Sequence, residues 1–215
     1  MNLFETLFDQ SRLEERGTRI GGVVVGLVTN NQDPDGQGRV KVKFPWLSDQ
    51  DESHWARLAA PMAGQDRGAY FLPEVDDEVL LAFEHGDARF PYILGALWNG
   101  KDAPPARNDD GKNNLRVIKS RSGHTIKLND ESGRETIEII GKGQTEKIVI
   151  DASANTITIT TNKDITLSAP QGAIRLDARK IEFKSSAETT IEAGARMDIK
   201  TSAALAINGA TVDIN

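Results

Sequence analysis

Two patterns of apolar and polar positions divide the chain. From Lys147 to Asn215, pairs of apolar residues separated by one residue recur about every eight residues. The pairs are Ile148 and Ile150, Ile157 and Ile159, Ile165 and Leu167, Ile174 and Leu176, and Ile181 and Phe183. They continue with Thr189 and Ile191, Met197 and Ile199, Leu205 and Ile207, and Val212 and Ile214. Small or polar residues such as Ser168-Ala169-Pro170 and Ala193-Gly194-Ala195 break the alternation. Short alternating runs of this kind predict short strands joined by bends. Each unit supplies one wall and one corner of a prism, whereas a single-chain solenoid needs on the order of 20 residues or more per coil. Three identical chains, each giving a wall before passing to the next face, would close the prism at roughly 24 residues per turn. The repeat therefore predicts a triple-stranded, intertwined β-helix formed by a homotrimer. At ~4.8 Å per strand its nine units make a rod of roughly 43 Å. A calcium-binding nonapeptide roll requires Gly-Gly-x-Gly-x-Asp, which is absent. The seventeen apolar members of the pairs, all but Thr189, are the predicted trimer core.

The other pattern runs from Thr18 to Gly100. Strands are predicted at 20–28, 38–44, 55–59, 78–84 and 92–97, with a turn region at 30–38. Five short strands with glycine-rich turns suit a small closed barrel of the OB type. Ahead of it, Leu3, Phe4, Leu7 and Phe8 fall at helical spacing among acidic residues. They predict a short amphipathic helix within residues 1–17, either capping the barrel or serving as a docking arm. Two isoleucines, Ile20 and Ile93, precede residue 100 and sixteen follow it, while nine of the twelve aromatics lie between Phe44 and Trp98. The halves are thus built differently. The boundaries expected are 1–17 for the helix or arm, 18–100 for the barrel, 101–114 for a linker and 115–215 for the β-helix. Turns are expected at Asn129 to Arg134 and Gly141 to Thr145, with glycines supplying the positive φ.

Composition then removes several functions. The net charge of -6 argues against a nucleic-acid partner. The chain has no cysteine, so no disulfide or thiolate metal site is available. Neither a long apolar span nor a secretion signal is evident. His54, His85 and His124 lie in separate segments without metal-ligand spacing. Asp76 with Asp77, or Glu135 with Glu138, could be nominated as the carboxylate pair of a glycosidase. Ser122 and His124 could be nominated as nucleophile and base, but no third orienting group or oxyanion site stands nearby. No catalytic, cofactor or metal residue is expected.

The segments GLVTNNQDPDGQGRVKVKFPWL, WARLAAPMAG and RGAYFLPEVDDEVLLAFEHGDARFPYILGALWNG resemble the OB-fold domain of the central spike family of contractile injection machines. That family comprises phage baseplate assembly protein V, the spikes of phage-tail-like bacteriocins and the VgrG spikes of type VI secretion. Asp76 stands where family members commonly carry glycine, in a turn where aspartate tolerates a left-handed backbone. RSGHTIKLNDESGRETIEI resembles the start of the family's trimeric β-helix. The resemblance implies a non-enzymatic spike, assembled in the cytoplasm into a tail or tail-like particle and touching the target membrane only mechanically. It also implies a separate hub protein at the tube end and a PAAR-type protein on the tip at Asn215. Some family spikes end in a His-x-His iron site, and residues 205–215 contain no histidine. Some phage relatives carry a lysozyme domain between barrel and helix, for which the linker is too short. The alternatives that remain are a trimeric polysaccharide-binding fibre and a β-helix polysaccharide lyase.

Overall fold

The structure, a computed structural model, describes residues 19–46 and 48–214. The amphipathic helix expected within 1–17 lies outside the described residues. The described residues contain thirteen strands, one 3-10 turn and no α-helix, so the fold is all-β. The chain falls into two units that divide between Asn162 and Lys163.

The first unit opens with the barrel. Its strands are β1 (Val23–Asn30), β2 (Lys41–Phe44), β3 (Ser48–Glu52), β4 (Arg57–Leu58), β5 (Ala63–Gly64), β6 (Arg67–Gly68), β7 (Glu78–Phe83) and β8 (Pro91–Ala96). Six of them form a sheet in the order β3-β2-β1-β7-β8-β4, and β5 with β6 makes a separate small hairpin. A bridge between Val40, just before β2, and Ala56, just before β4, joins the two sides of the sheet into a ring. Each strand predicted from the alternation has a counterpart, although the one near Trp55 shrinks to two residues. That strand pairs in parallel with β8 and only bridges toward β2, so few ladder positions are available to it.

Alternation decides what is buried. Val42 and Phe44 of β2 and Val79, Leu81 and Phe83 of β7 turn inward against Val28, Val40, Ala56 and Ile93. Removing such side chains from water contributes about 1.5–3 kcal/mol each. Register shifts occur between Leu80 and Leu81 and between Val28 and Asn30. An irregularity of this kind lets a strand bend around a small barrel. Gly26 permits a close approach between strands: a Cβ there would lie 2.9 Å from Leu81 Cδ1 and 3.1 Å from the Lys43 carbonyl oxygen.

The turn region after β1 is organised by Asp33, whose side chain is only 3% exposed. Its carboxylate accepts hydrogen bonds from the backbone N–H groups of Asp35, Gln37 and Arg39 and from the Arg39 guanidinium. The Arg39 hydrogen bonds, and after them those backbone donors, hold Asp33 far below the ordinary carboxylate range against the opposing effect of burial. Asp76 has φ 75, so the left-handed turn expected at that position is present.

The rest of the first unit is an antiparallel meander. Its strands are β9 (Leu115–Lys119), β10 (Thr125–Asn129), β11 (Thr136–Ile140), β12 (Lys147–Asp151) and β13 (Thr156–Thr160), in the order β13-β12-β11-β10-β9. Both expected turns are present. In the turn after β10, Gly133 takes φ 78 as anticipated. In the turn after β11 the positive φ falls on Gln144 (φ 60), not on a glycine. Gly141 serves there through its lack of a side chain, since a Cβ would come within 3.2 Å of Glu146 Cβ.

The second unit, 163–215, forms no strand ladder within the chain among its described residues. The short strands predicted there were expected to lie against strands of other chains, and one chain by itself offers no such neighbour. The apolar members of the repeat are exposed, Ile191 at 72% and Phe183 at 75%.

Candidate assembly surfaces

The meander register sorts its side chains into two unlike faces. Ile148 stands opposite Ile159, and Ile150 opposite Ile157. On the other flank, Ile139 pairs with Ile148 and Ile137 with Ile150. The same rows continue through Ile126 and Leu128 on β10 to Ile118 on β9. Directly opposed residues of antiparallel strands share a face, so nine isoleucine and leucine side chains form one surface, ending at Arg116. Each of the nine is exposed in the single chain. The other face mixes Lys127, Glu138, Lys147, Thr156, Thr158 and Thr160 with Leu115, Val117, Val149 and Ile140, the last only 8% exposed. There Lys127 Nζ lies 2.8 Å from Glu138 Oε1. Burial acts to raise the Glu138 pKa, but the hydrogen bonds from Lys127 and Thr136 outweigh it and leave it lowered. A row of exposed apolar side chains of this size is characteristic of an association surface.

Four of the seventeen residues nominated as trimer core, Ile148, Ile150, Ile157 and Ile159, are brought together here. The other thirteen lie in the second unit, each exposed. Sequence reasoning missed Ile118, Ile126, Leu128, Ile137 and Ile139. Their signal was available in the alternation of LRVIK, TIKLN and TIEII, which is spaced too irregularly to register as part of an eight-residue repeat.

The residues weighed for chemistry occupy structural roles. His124 Nδ1 accepts the Lys142 backbone N–H, and the His124 backbone N–H donates to Ser120 Oγ, while Ser122 Oγ lies 3.3 Å from Ser120 Oγ rather than against the imidazole. His85 adopts φ 51 inside the 3-10 turn Glu84–Gly86, and the carbonyl of His54 accepts the Ser53 hydroxyl. Asp77 accepts the Glu74 N–H, Glu135 accepts the Gly133 N–H, and Glu138 is held by Lys127. Among the described residues no group of three or more His, Cys, Asp or Glu is placed to hold a metal ion.

A closed OB-type barrel followed by a β-meander with one bare apolar face defines a protein built to assemble with other chains. Residues 24–98 match the family described as the type VI secretion system/phage-baseplate injector OB domain. The chain is 31% identical over 111 residues to the type VI secretion system spike protein VgrG3 of Vibrio cholerae, a match covering 48% of this chain and 11% of that one. It is 28% identical over 138 residues to spike protein VgrG1a of Pseudomonas aeruginosa, covering 59% of this chain and 22% of the relative. It is also 28% identical over 112 residues to the actin cross-linking toxin VgrG1 of Vibrio cholerae, covering 48% of this chain and 10% of the toxin. The chain thus aligns with about a tenth to a fifth of the length of these relatives. Residues 24–98 thus carry an injector OB domain, and the chain is similar to baseplate and spike proteins of the VgrG type.

Proposed function

We propose that the protein is the central spike of a contractile injection machine, acting as a homotrimer without catalytic activity. The observation that carries this reading is the run of apolar positions from Ile118 to Ile214, exposed in one chain and attached to an injector OB domain. The spike names of VgrG3 and VgrG1a support the same role. Three copies would turn their meander faces inward, then exchange strands through the eight-residue repeat. The seventeen predicted core residues, from Ile148 to Ile214, would line its axis, and the outward threonines and charged residues would keep the shaft soluble. The domain plan remains barrel at 18–100, linker at 101–114 and stem at 115–215.

A stiff rod transmits force along its axis, which is what piercing an envelope requires. A separate hub protein would seat the barrel on the tube, and a PAAR-type protein would cap the far end of the stem. The assembly would form in the cytoplasm and meet the target envelope on contraction. Native mass spectrometry tests the core of this reading. A single species of three times the 23.4 kDa chain is expected. A stable monomer at micromolar concentration would overturn it.

A further inference from the structure

The dipeptide Asn-Gly occurs twice in the chain, at Asn99-Gly100 and at Asn208-Gly209. Its chemistry is intrinsic: with no side chain on the second residue, the glycine nitrogen can reach the asparagine amide carbon and close a succinimide ring.

The surroundings of the two dipeptides differ. Asn99 follows β8, and its backbone N–H donates to the Asp102 carbonyl at 3.1 Å, closing a turn into the linker. Its Oδ1 accepts two backbone N–H groups, those of Lys101 and Asp102, each at 2.8 Å. Its Nδ2 lies 3.5 Å from Glu78 Oε2, at the limit of a hydrogen bond. Gly100 is exposed, and its N–H has no hydrogen-bond partner among the described residues. A Cβ built on it would meet nothing within 4 Å, so the space over it is open. Asn208 has no such pair of donors: its side chain makes no hydrogen bond among the described residues. A Cβ on Gly209 would lie 3.0 Å from the Thr211 carbonyl oxygen.

Attack on an amide places negative charge on its oxygen. Two N–H groups already aimed at Asn99 Oδ1 stand where that charge develops, which is the arrangement of an oxyanion hole. The Gly100 nitrogen gives its proton to water or hydroxide and bonds to Asn99 Cγ. The Cγ–Nδ2 bond then breaks, and the amine takes a proton from water and leaves as ammonia. Water opens the resulting succinimide at either carbonyl, giving aspartate or isoaspartate with no oxidant or reductant.

We infer that Asn99 is a site of spontaneous modification, deamidating ahead of Asn208. The product alters the junction between β8 and the linker. A carboxylate at 99 faces Glu78, and like charges at that range disfavour each other. Isoaspartate also routes the main chain through the former side chain, which displaces the acceptor that Lys101 and Asp102 share.

The test incubates the purified full chain in mildly alkaline buffer made with heavy-oxygen water and maps its peptides by mass at intervals. The Asn99 peptide is expected to convert about tenfold faster than the Asn208 peptide, a small part of what donors to a buried oxyanion are worth. Each converted copy should carry one heavy oxygen, and isoaspartate should be present. In denaturant, where the turn is gone, the two rates are expected to converge. Gly100→Ala, whose methyl meets nothing within 4 Å, is expected to keep the melting temperature. It should slow conversion at Asn99 severalfold and leave Asn208 as it was. An Asn99 peptide that converts no faster than the Asn208 peptide in the folded chain overturns the inference, because the turn would then shield the amide. The same preference persisting in denaturant overturns the role of the two donors, and unchanged conversion in Gly100→Ala overturns attack by the Gly100 nitrogen.

Discussion

Ile148 of β12 stands directly opposite Ile159 of β13 and, on its other flank, opposite Ile139 of β11. All three point to the same side of the sheet, and all three are exposed in the single chain. Because the row continues in both directions, one polar substitution in it is felt by its neighbours across the strands and by any chain that covers the face.

Ile148→Asp, or Ile181→Asp farther along the repeat, is therefore expected to abolish the trimer. Three carboxylates would enter one apolar layer without partners, at an effective cost of several kcal/mol, by order of magnitude, per buried ion. Sedimentation or native mass reads the outcome. Retained trimers with unchanged melting would show that the face is not buried.

Asp33→Asn is expected to lower the melting temperature at neutral pH, since the amide cannot keep the ion pair with Arg39. The Asp33 pKa is depressed below its ordinary 3.8. Its contribution is thus complete above that ordinary value and is lost as pH falls through the lower folded value. Melting followed from pH 7 to pH 2 should show a steeper acid decline for the wild type than for the variant. Parallel curves would contradict the assignment.

Gly26→Ala tests the close approach inside the barrel. The added methyl would press on Leu81 and on the Lys43 carbonyl, and the latter is backbone that cannot turn aside. Overpacking of this kind costs about 1–3 kcal/mol. Denaturant unfolding should show a lower midpoint.

Gln144→Val tests the turn between β11 and β12. A β-branched residue at φ 60 is strained, whereas glycine is at ease there. Valine is expected to destabilise by about 1–2 kcal/mol, and Gln144→Gly to lose none of this. Thermal unfolding of the two variants side by side distinguishes them.

Much of the barrel was legible in the sequence because its signals are local. The alternation in Val40-Lys41-Val42-Lys43-Phe44 already states which side chains face inward. The Asp33 cluster was read only as a turn. Its carboxylate gathers donors as far along as Arg39, and the motif alone does not state which group accepts. In the stem, the eight-residue spacing exposed the apolar members of the repeat. It also hid the isoleucines of β9, β10 and β11, which share their face without sharing their period.

The sequence by itself determined the two periodicities, the division into an aromatic barrel half and an isoleucine stem half, and the identity of the apolar residues. These follow from side-chain chemistry and from the two-residue pleat, which act within a few positions of the chain. Only the tertiary structure decided that Ile118 and Ile159 belong to one surface. It alone showed that Val25 and Leu80 stand side by side on the outer face of the barrel, and that Gln144 rather than a glycine takes the left-handed position. Strand register and ring closure set those outcomes, and both depend on hydrogen bonds between residues far apart in the chain.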